Sequence, residues 1–559
     1  MAYFLKKNIK NKKTYLSIVN SFYDANKGGT AHETYKSYGS IDSLIDSGIE
    51  DPITYLEEEV RKLNDERSID KAIKISEVAP YKYAGHFLIN GILKKLNVKP
   101  IFELYGSTLN YRFKLYDVLS SLIFSRIIKP CSKYKTFIEV IPYLDEKYSF
   151  SYDQLLEGLS YFGENYEKIV DTFTTLVKEK YKLSTDEAYF DCTNFYFEID
   201  KEDENRRKGP SKENRKDPII GLGLLLDRNT IPINMALYPG NESEKPVIRE
   251  VIAKMKKQTG VKGKTIQVAD KGLNCALNIE EAKRNGDGYL FSKSVKQLPE
   301  TEVTWLLLSN DYKEVKDKEG KILYKYKSCV DDFPYDYIDD DGKKHKLNFK
   351  EKRLVSYNPS LAKKQIYEIN KMVDKAKNLC LSKAKKEEYG ESSKYVIFKG
   401  KDNSKVKASI NQDKVDKDIK LAGYNLLVTS ELTMPDKEIY DTYHNLWRIE
   451  ESFRMMKQEL DARPVFAKTE NTIKGHFLIC YLSTLLIRLL QIYELKDEDS
   501  YQEIFKFIRD FKLVKYSNKY INMATRNDFT DKIEKVTTLP IENAFITESQ
   551  YNKIMSYKF

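Results

Sequence analysis

The chain has 559 residues, of which 41% are hydrophobic and 32% charged, with a formal net charge of +10. That length corresponds to roughly three or four units of about 150 residues. Its moderate basicity fits a protein that meets a polyanion on part of its surface, and equally a merely solvated lysine-rich one. Six scattered cysteines lack the close spacing of a zinc knuckle or a redox motif, so a reduced intracellular protein is expected. Lys6, Lys7, Lys10, Lys12 and Lys13 interrupt any cleavable signal. The longest apolar run, Phe477 to Ile487, is too short to span a bilayer and reads as a buried helix.

In chain order, residues 1–180 are expected to be mostly helical and to bind DNA. The clearest helix is Tyr116 to Ile128, which stops before Pro130. Lysine clusters such as KKNIKNKK recur there, without a helix-turn-helix signature. Near residue 187 the period changes to that of strands: EAYFDCTNFYFEI, then PIIGLGLLL (218–226) and TIPINMALY (230–238) joined by DRN. A helix at 243–258, the strand KTIQVAD (264–270), a helix at about 273–285 and the strand GYLFSK (288–293) follow. Three strands, then helix, strand, helix, strand, is an α/β order matching the start of an RNase H-like fold. The expected division is a core from 181 to 294, a mainly β insertion at 295–430 containing one helix near 363–377, a second core part at 431–490 and a C-terminal region at 491–559.

Carboxylates carry the chemistry. Asp191 lies within an apolar aromatic strand and Asp270 ends another, where a charge is costly unless paired or bound to metal. Either one alone also reads as a solvent-facing strand end or a helix cap. In YHNLWRIEESFRMMKQEL, helical spacing puts Leu446, Ile449, Phe453, Met456 and Leu460 on one apolar stripe. Tyr443, Trp447, Glu450, Arg454 and Lys457 form the adjoining stripe, while Glu451 points elsewhere and is expected to be solvated. The basic loop GPSKENRK, with Lys212 and Arg215, reads equally as a phosphate-touching loop and as a solvated hairpin entry.

The fragments YFDCTNFYFE, GPSKENRKDPIIGLGLLLD, YPGNESE, VADKGLN and YHNLWRIEESFRMMK together resemble insertion-sequence transposases of the DDE class, in the insertion sequence 4-like group, over about residues 110–490. The resemblance implies that Asp191, Asp270 and Glu450 are the catalytic and metal-binding acids. It also implies that Tyr443 and Lys457 match the ends of a Tyr-Arg-Glu-Lys signature. Where that signature has Arg, this chain has Leu446, and Arg454 is expected to take over the phosphate contact with Lys457. Two Mg²⁺ ions, with Mn²⁺ able to substitute, are the implied cofactors, since hard ions take carboxylate oxygens. The implied partners are terminal inverted repeats and target DNA, bound by a homodimer in the bacterial cytoplasm at the nucleoid, with no membrane. An RNase H-like nuclease or resolvase without strand transfer, and a decayed end-binding copy, are the alternatives.

Overall fold

The computed structural model describes the chain apart from residues 1, 25–28, 70–80, 110, 145–146, 185, 213–215, 260–263, 339–341, 383–384, 400–406 and 517. It divides into two compact units, Met1–Pro80 and Tyr81–Phe559.

The first unit departs from the helical expectation. It begins with a three-stranded antiparallel sheet, β1 (Tyr3–Lys10), β2 (Lys13–Asp24) and β3 (Gly29–Ser40), followed by α1 (Ile41–Asp46) and α2 (Pro52–Ile69). Leu5 and Leu16 pack from one sheet face against Leu44, Ile53 and Leu56. Asn11 and Lys12 link β1 to β2, both at positive φ (49° and 59°). Such a two-residue turn matches the twist of the flanking strands. Lysines on both faces of β1 hide the period of two on which a strand reading depends.

The second unit opens with the short strand β4 (Tyr81–Tyr83). Then come α3 (Phe87–Lys95), α4 (Val98–Thr108), α5 (Leu115–Ile128), the single turn α6 (Lys133–Lys135), α7 (Tyr152–Glu164) and α8 (Tyr166–Lys180). The centre is a large mixed sheet. Its first part is β5 (Glu187–Tyr196), β6 (Ile219–Asp227) and β7 (Pro232–Pro239), followed by α9 (Glu244–Thr259), β8 (Ile266–Ala269), α10 (Ala276–Arg284) and β9 (Gly288–Lys293). In space these strands run β9-β8-β5-β6-β7. β5, β6 and β7 form an antiparallel meander, and β8 and β9 join parallel to β5. Both faces are covered: Tyr189, Phe195, Leu222 and Leu224 belong to a core built mostly from helices, and Phe190, Cys192 and Leu225 pack with α9 and α10.

Residues 295–430 correct the expectation of a mainly β insertion. After α11 (Glu300–Leu307), the strands β10 (Lys313–Lys316), β11 (Ile322–Ile338) and β12 (Lys344–Tyr357) extend the central sheet. They are tied to β9 through β15 (Tyr424–Thr429), giving the nine-strand order β10-β11-β12-β15-β9-β8-β5-β6-β7. Between β12 and β15 lie α12 (Pro359–Leu381), the hairpin β13 (Val396–Lys399) and β14 (Lys407–Ile410), and α13 (Gln412–Lys420). The helical content is therefore larger than expected, because an amphipathic 23-residue helix starting at an Asn358 cap and Pro359 dominates the middle.

The segment YHNLWRIEESFRMMKQEL, read as helical, runs over the end of α14 (Asp436–His444), α15 (Trp447–Arg454) and a π turn at Met455–Glu459. Next comes α16 (Glu470–Leu489), buried along nearly its whole length. This helix is long and apolar enough to cross a membrane by composition, and 94% of its apolar window is buried. The chain ends with α17 (Tyr501–Asp510), β16 (Lys512–Tyr516), β17 (Lys519–Asn522), α18 (Asp528–Thr537), β18 (Phe545–Thr547) and α19 (Glu548–Met555). These three strands form one sheet with β4, in the order β18-β17-β16-β4.

Candidate active site

Strand alternation decides which acids meet. On β5, Tyr189 and Phe195 face the helical core, while Ala188, Phe190 and Cys192 face α9 and α10. Asp191 has the parity of Tyr189 and therefore projects toward the helical side. On β8, Val268 lies on that side and Ala269 on the other, so Asp270, just past the strand, shares the face of Asp191. Phe190 pairs with Ala269 in the parallel register, which sets the two acids level with each other. α15 packs on β5, and α14 packs on β8 and β9.

Each aspartate is held from within the protein. The Asp191 Oδ1 accepts the Cys192 backbone N–H at 2.7 Å. Burial pushes its carboxyl up to about 6, and Glu244 and Asp270 add to the rise, against the opposing Lys212 ammonium and the Cys192 hydrogen bond. The Tyr443 hydroxyl donates to Asp270 Oδ1 at 3.0 Å. Burial, and then the Asp270 charge, raise the Tyr443 phenol above its usual value, so it stays a donor. Tyr443, at one end of the signature, thus holds the Asp270 carboxylate.

Lys212 is likewise engaged inside the site. Its ammonium donates to the Cys192 carbonyl and pairs with Glu244 at 3.1 Å. Burial would lower it, but Asp191 and Glu244 outweigh burial and hold it above the usual lysine value. Arg215 lies outside the described residues. Lys457 sits with its ammonium 5.4 Å from the centre of the Phe195 ring. Burial brings it down to about 8, with Lys212 adding to the fall and Asp191 opposing it.

The remaining helix residues separate. Leu446, Ile449, Phe453, Met456 and Leu460 are buried, as the helical spacing requires. Glu450 is exposed on α15. Among the described residues no three acids or other donors stand close enough together to form a metal cage. The structure therefore sets Asp191 and Asp270 level with each other, and places Glu450 exposed on the helix that packs on β5. Arg454 is exposed and stands beside the Tyr501 hydroxyl of α17, not with Lys457. The π turn that follows it inserts an extra residue into the helical count, so a uniform 100° step misplaces the two cations relative to each other.

Glu451 also differs from expectation. It is largely buried and accepts from Arg488 Nη1 at 2.7 Å and from Arg448 Nη1 at 3.1 Å. It is a structural ion-pair member, which leaves Glu450 as the available carboxylate of the pair.

Two features escaped the sequence reading. Glu244 opens α9 and its carboxylate faces Lys212; an acid in the first turn of a helix was the only signal. A groove of about 850 Å³ lies on the α9 and α10 side of the sheet, lined by Lys245, Arg249, Lys271 and Lys293 and by Tyr335 and Tyr337 of β11. Cations and aromatic faces together suit a nucleic-acid strand. The β11 part of this wall comes from the inserted strands, which only the folded sheet brings to α9 and α10.

A divalent ion fits the donor set. Two carboxylates level with each other on one sheet face, one of them held partly protonated by burial, supply hard oxygen donors with no thiolate or imidazole among the groups described around them.

Residues 190–486 match the protein family described as Transposase DDE domain. No curated protein matches the chain. Among solved structures, a piggyBac transposase synaptic complex with hairpin DNA is 12% identical, with 76% of this chain and 79% of that chain covered and a TM-score of 0.35.

Proposed function

Because this chain belongs to the family of transposases with a DDE domain, we propose that it cleaves DNA at the ends of its own mobile element and joins them to target DNA. The observation that carries this reading is the level pair Asp191 and Asp270, on one face of the sheet, oriented by Tyr443 and Cys192. The β9-β8-β5-β6-β7 order supports an RNase H-like core beneath them. The insertion sequence 4-like branch is part of the proposal, with Tyr443, Glu450 and Lys457 as its signature positions and Leu446 as the departure.

In the proposed reaction, water attacks the phosphorus at the element end and the 3′ oxygen leaves with a proton as a free hydroxyl. That hydroxyl then attacks a target phosphodiester, and a target 3′ hydroxyl departs. Asp191 and Asp270 hold the divalent ions, Mg²⁺ by preference, and Glu450, on the helix that packs on β5, completes the set. When bound, such ions lower the cost of the attacking and leaving oxygen charges. Tyr443 fixes the Asp270 carboxylate, and Lys457 neutralises the phosphate that approaches the acids. Lys212 balances Asp191 and Glu244 before DNA arrives. The protein acts as a dimer on paired ends, in the cytoplasm.

The experiment is a joining assay. The DNA flanking the coding sequence on both sides is cloned into a donor plasmid and incubated with the protein, Mg²⁺ and a target plasmid. Donor ends covalently joined to target are expected. End nicks without joined product would identify a nuclease or resolvase instead, and binding without nicks a decayed end-binding copy.

The pH profile follows from two groups. Asp191 must lose its proton to bind an ion, and it does so near 6. Lys457 must keep its proton to hold a phosphate, and it loses it near 8. Since kcat/KM reports the free enzyme, at subsaturating Mg²⁺ it is expected to rise through about 6 and fall above about 8. Lys457→Ala lowers the plateau by about tenfold to a hundredfold, the loss of one charge-assisted phosphate contact. It also removes the alkaline fall. An unchanged alkaline limb in Lys457→Ala assigns that limb to another group.

A further inference from the structure

The three-stranded sheet of the first unit has two chemically opposed faces. The β1–β2 register pairs Lys6 with Ser17, Asn8 with Tyr15 and Lys10 with Lys13. These residues alternate with Leu5 and Leu16, which pack on α1 and α2, and so, apart from Lys13, whose ammonium reaches Asp42 of α1, they point away from the helices. The β2–β3 register adds Ser37 to this face, opposite Ser17. Lys6, Asn8, Lys10, Tyr15 and Ser37 are all exposed, Tyr15 at 41%. The hairpin tip adds exposed Asn11 and Lys12.

Acids lie on the other side. α1 and α2 carry Asp42, Asp46, Glu57, Glu58 and Glu59. Lys7, on the helix-facing parity of β1, pairs with Glu57 at 3.9 Å, and Tyr38 donates to Glu59 at 2.7 Å. Glu33 is level with Asn20, which has the helix-facing parity. At the strand end Lys13 lies 3.7 Å from Asp42, an exposed and weak pair. Lys6, Lys10 and Lys12 make no ion pair among the described residues. Over this hairpin half, the open face therefore carries lysines, a tyrosine and small hydrogen-bonding side chains, with Asp42 of α1 reaching only its edge at Lys13.

We propose that the hairpin half of this sheet face, with Lys6, Lys10, Lys12, Asn8 and Tyr15, is a docking surface for duplex DNA, entered as a β-ribbon in the major groove. Three features select this occupant. The charge complements a phosphate backbone. The groove is wide enough for a two-stranded ribbon. Asn and Ser side chains at successive ladder positions offer hydrogen bonds to base edges between flanking cationic contacts. This inference rests on the transposase reading only in taking the element's own ends as the preferred duplex. It replaces the expectation of a helical DNA-binding unit at the N-terminus.

The test uses the full chain without metal and a labelled duplex from the DNA flanking the coding sequence, with an unrelated duplex alongside. The variants are Lys6→Gln/Lys10→Gln, Tyr15→Ala and, on the α2 surface, Lys62→Ala. Lys6→Gln/Lys10→Gln is expected to weaken binding by about tenfold or more and to lower the slope of log affinity against log salt by about two. Tyr15→Ala should narrow the preference for the flanking duplex over the unrelated one. Lys62→Ala should bind within about twofold of wild type, since it removes a similar charge from the other side. Coincident melting curves exclude unfolding. Wild-type affinity in the double variant, or an equal loss in Lys62→Ala, overturns the docking surface. Asp191→Asn separates the two claims, because it removes cleavage and leaves duplex binding intact. A wild-type protein that binds through the sheet but never cleaves overturns the transposase reading and leaves the sheet standing.

Discussion

Asp191→Asn is expected to abolish cleavage and, in the same step, to raise the melting temperature of the metal-free protein. Asp191 faces the helical side of β5 with Asp270 level on β8, and burial holds its carboxyl near 6. In the unfolded chain such a carboxyl titrates near 3.9. Below that value both states are protonated and the group contributes nothing to the stability difference. Above about 6 the folded state alone carries a disfavoured charge, at a cost of about 3 kcal/mol. Asparagine carries no charge, so near neutral pH the variant gains about that amount, and near pH 4 the gain vanishes. Mg²⁺ should then raise the melting temperature of wild type and leave Asp191→Asn unmoved, because the ion relieves what the substitution has already removed. Melting curves of both proteins at two pH values, with and without Mg²⁺, check this. A metal-free variant less stable than wild type near neutral pH would show that Asp191 is a structural acid and not a strained ligand.

The second large effect is on folding. Glu451→Gln is expected to cost about 3 kcal/mol, with no direct effect on the acids. The Arg488 side chain is fully buried, and its Nη1 donates to Glu451 at 2.7 Å and to Gln491 at 2.8 Å. Its Nη2 donates to the Thr230 hydroxyl at 3.0 Å. Thr230 belongs to the turn between β6 and β7, so this one guanidinium ties that hairpin to α15 and α16. Removing the Glu451 charge leaves a buried cation without its main counter-charge. A surface glutamate on a helix would lose less than about 0.5 kcal/mol on the same change. Denaturant titration distinguishes the two. The double variant Glu451→Leu/Arg488→Met should recover part of the loss, since replacing both members of a buried pair by apolar groups is far less costly than removing one.

The core was legible where its signals are local. The helix of residues 243–258 appears as Glu244–Thr259, and the strand of residues 288–293 as Gly288–Lys293, because apolar period and end signals coincide there. The parity of Asp191 against Tyr189, and of Asp270 against Val268, is also written in sequence once the strands are recognised. What was not legible depends on distant partners. Glu451 looked solvated because its partner, Arg488, lies on another helix. Lys212 looked like a free loop cation, yet it turns back onto Glu244. β10, β11 and β12 looked like a separate module because nothing local says that β12 pairs with β15 and β15 with β9. The N-terminal strands were missed for a different reason: their turn, Asn11–Lys12, lacks the glycine that usually marks such a hairpin.

Glu450 is the position at which a three-acid site is tested most directly. It is exposed on α15, the helix that packs on β5, and its neighbour Glu451 is committed to Arg488. The decisive measurement is Mg²⁺-dependent cleavage of a labelled element-end duplex by Glu450→Gln, with its melting curve recorded alongside. The expected result is a loss of about a thousandfold or more, more than 4 kcal/mol in the barrier, at unchanged melting temperature and unchanged duplex binding. Cleavage within a few-fold of wild type would contradict the three-acid site and leave Asp191 and Asp270 without the third ligand that the proposed reaction requires.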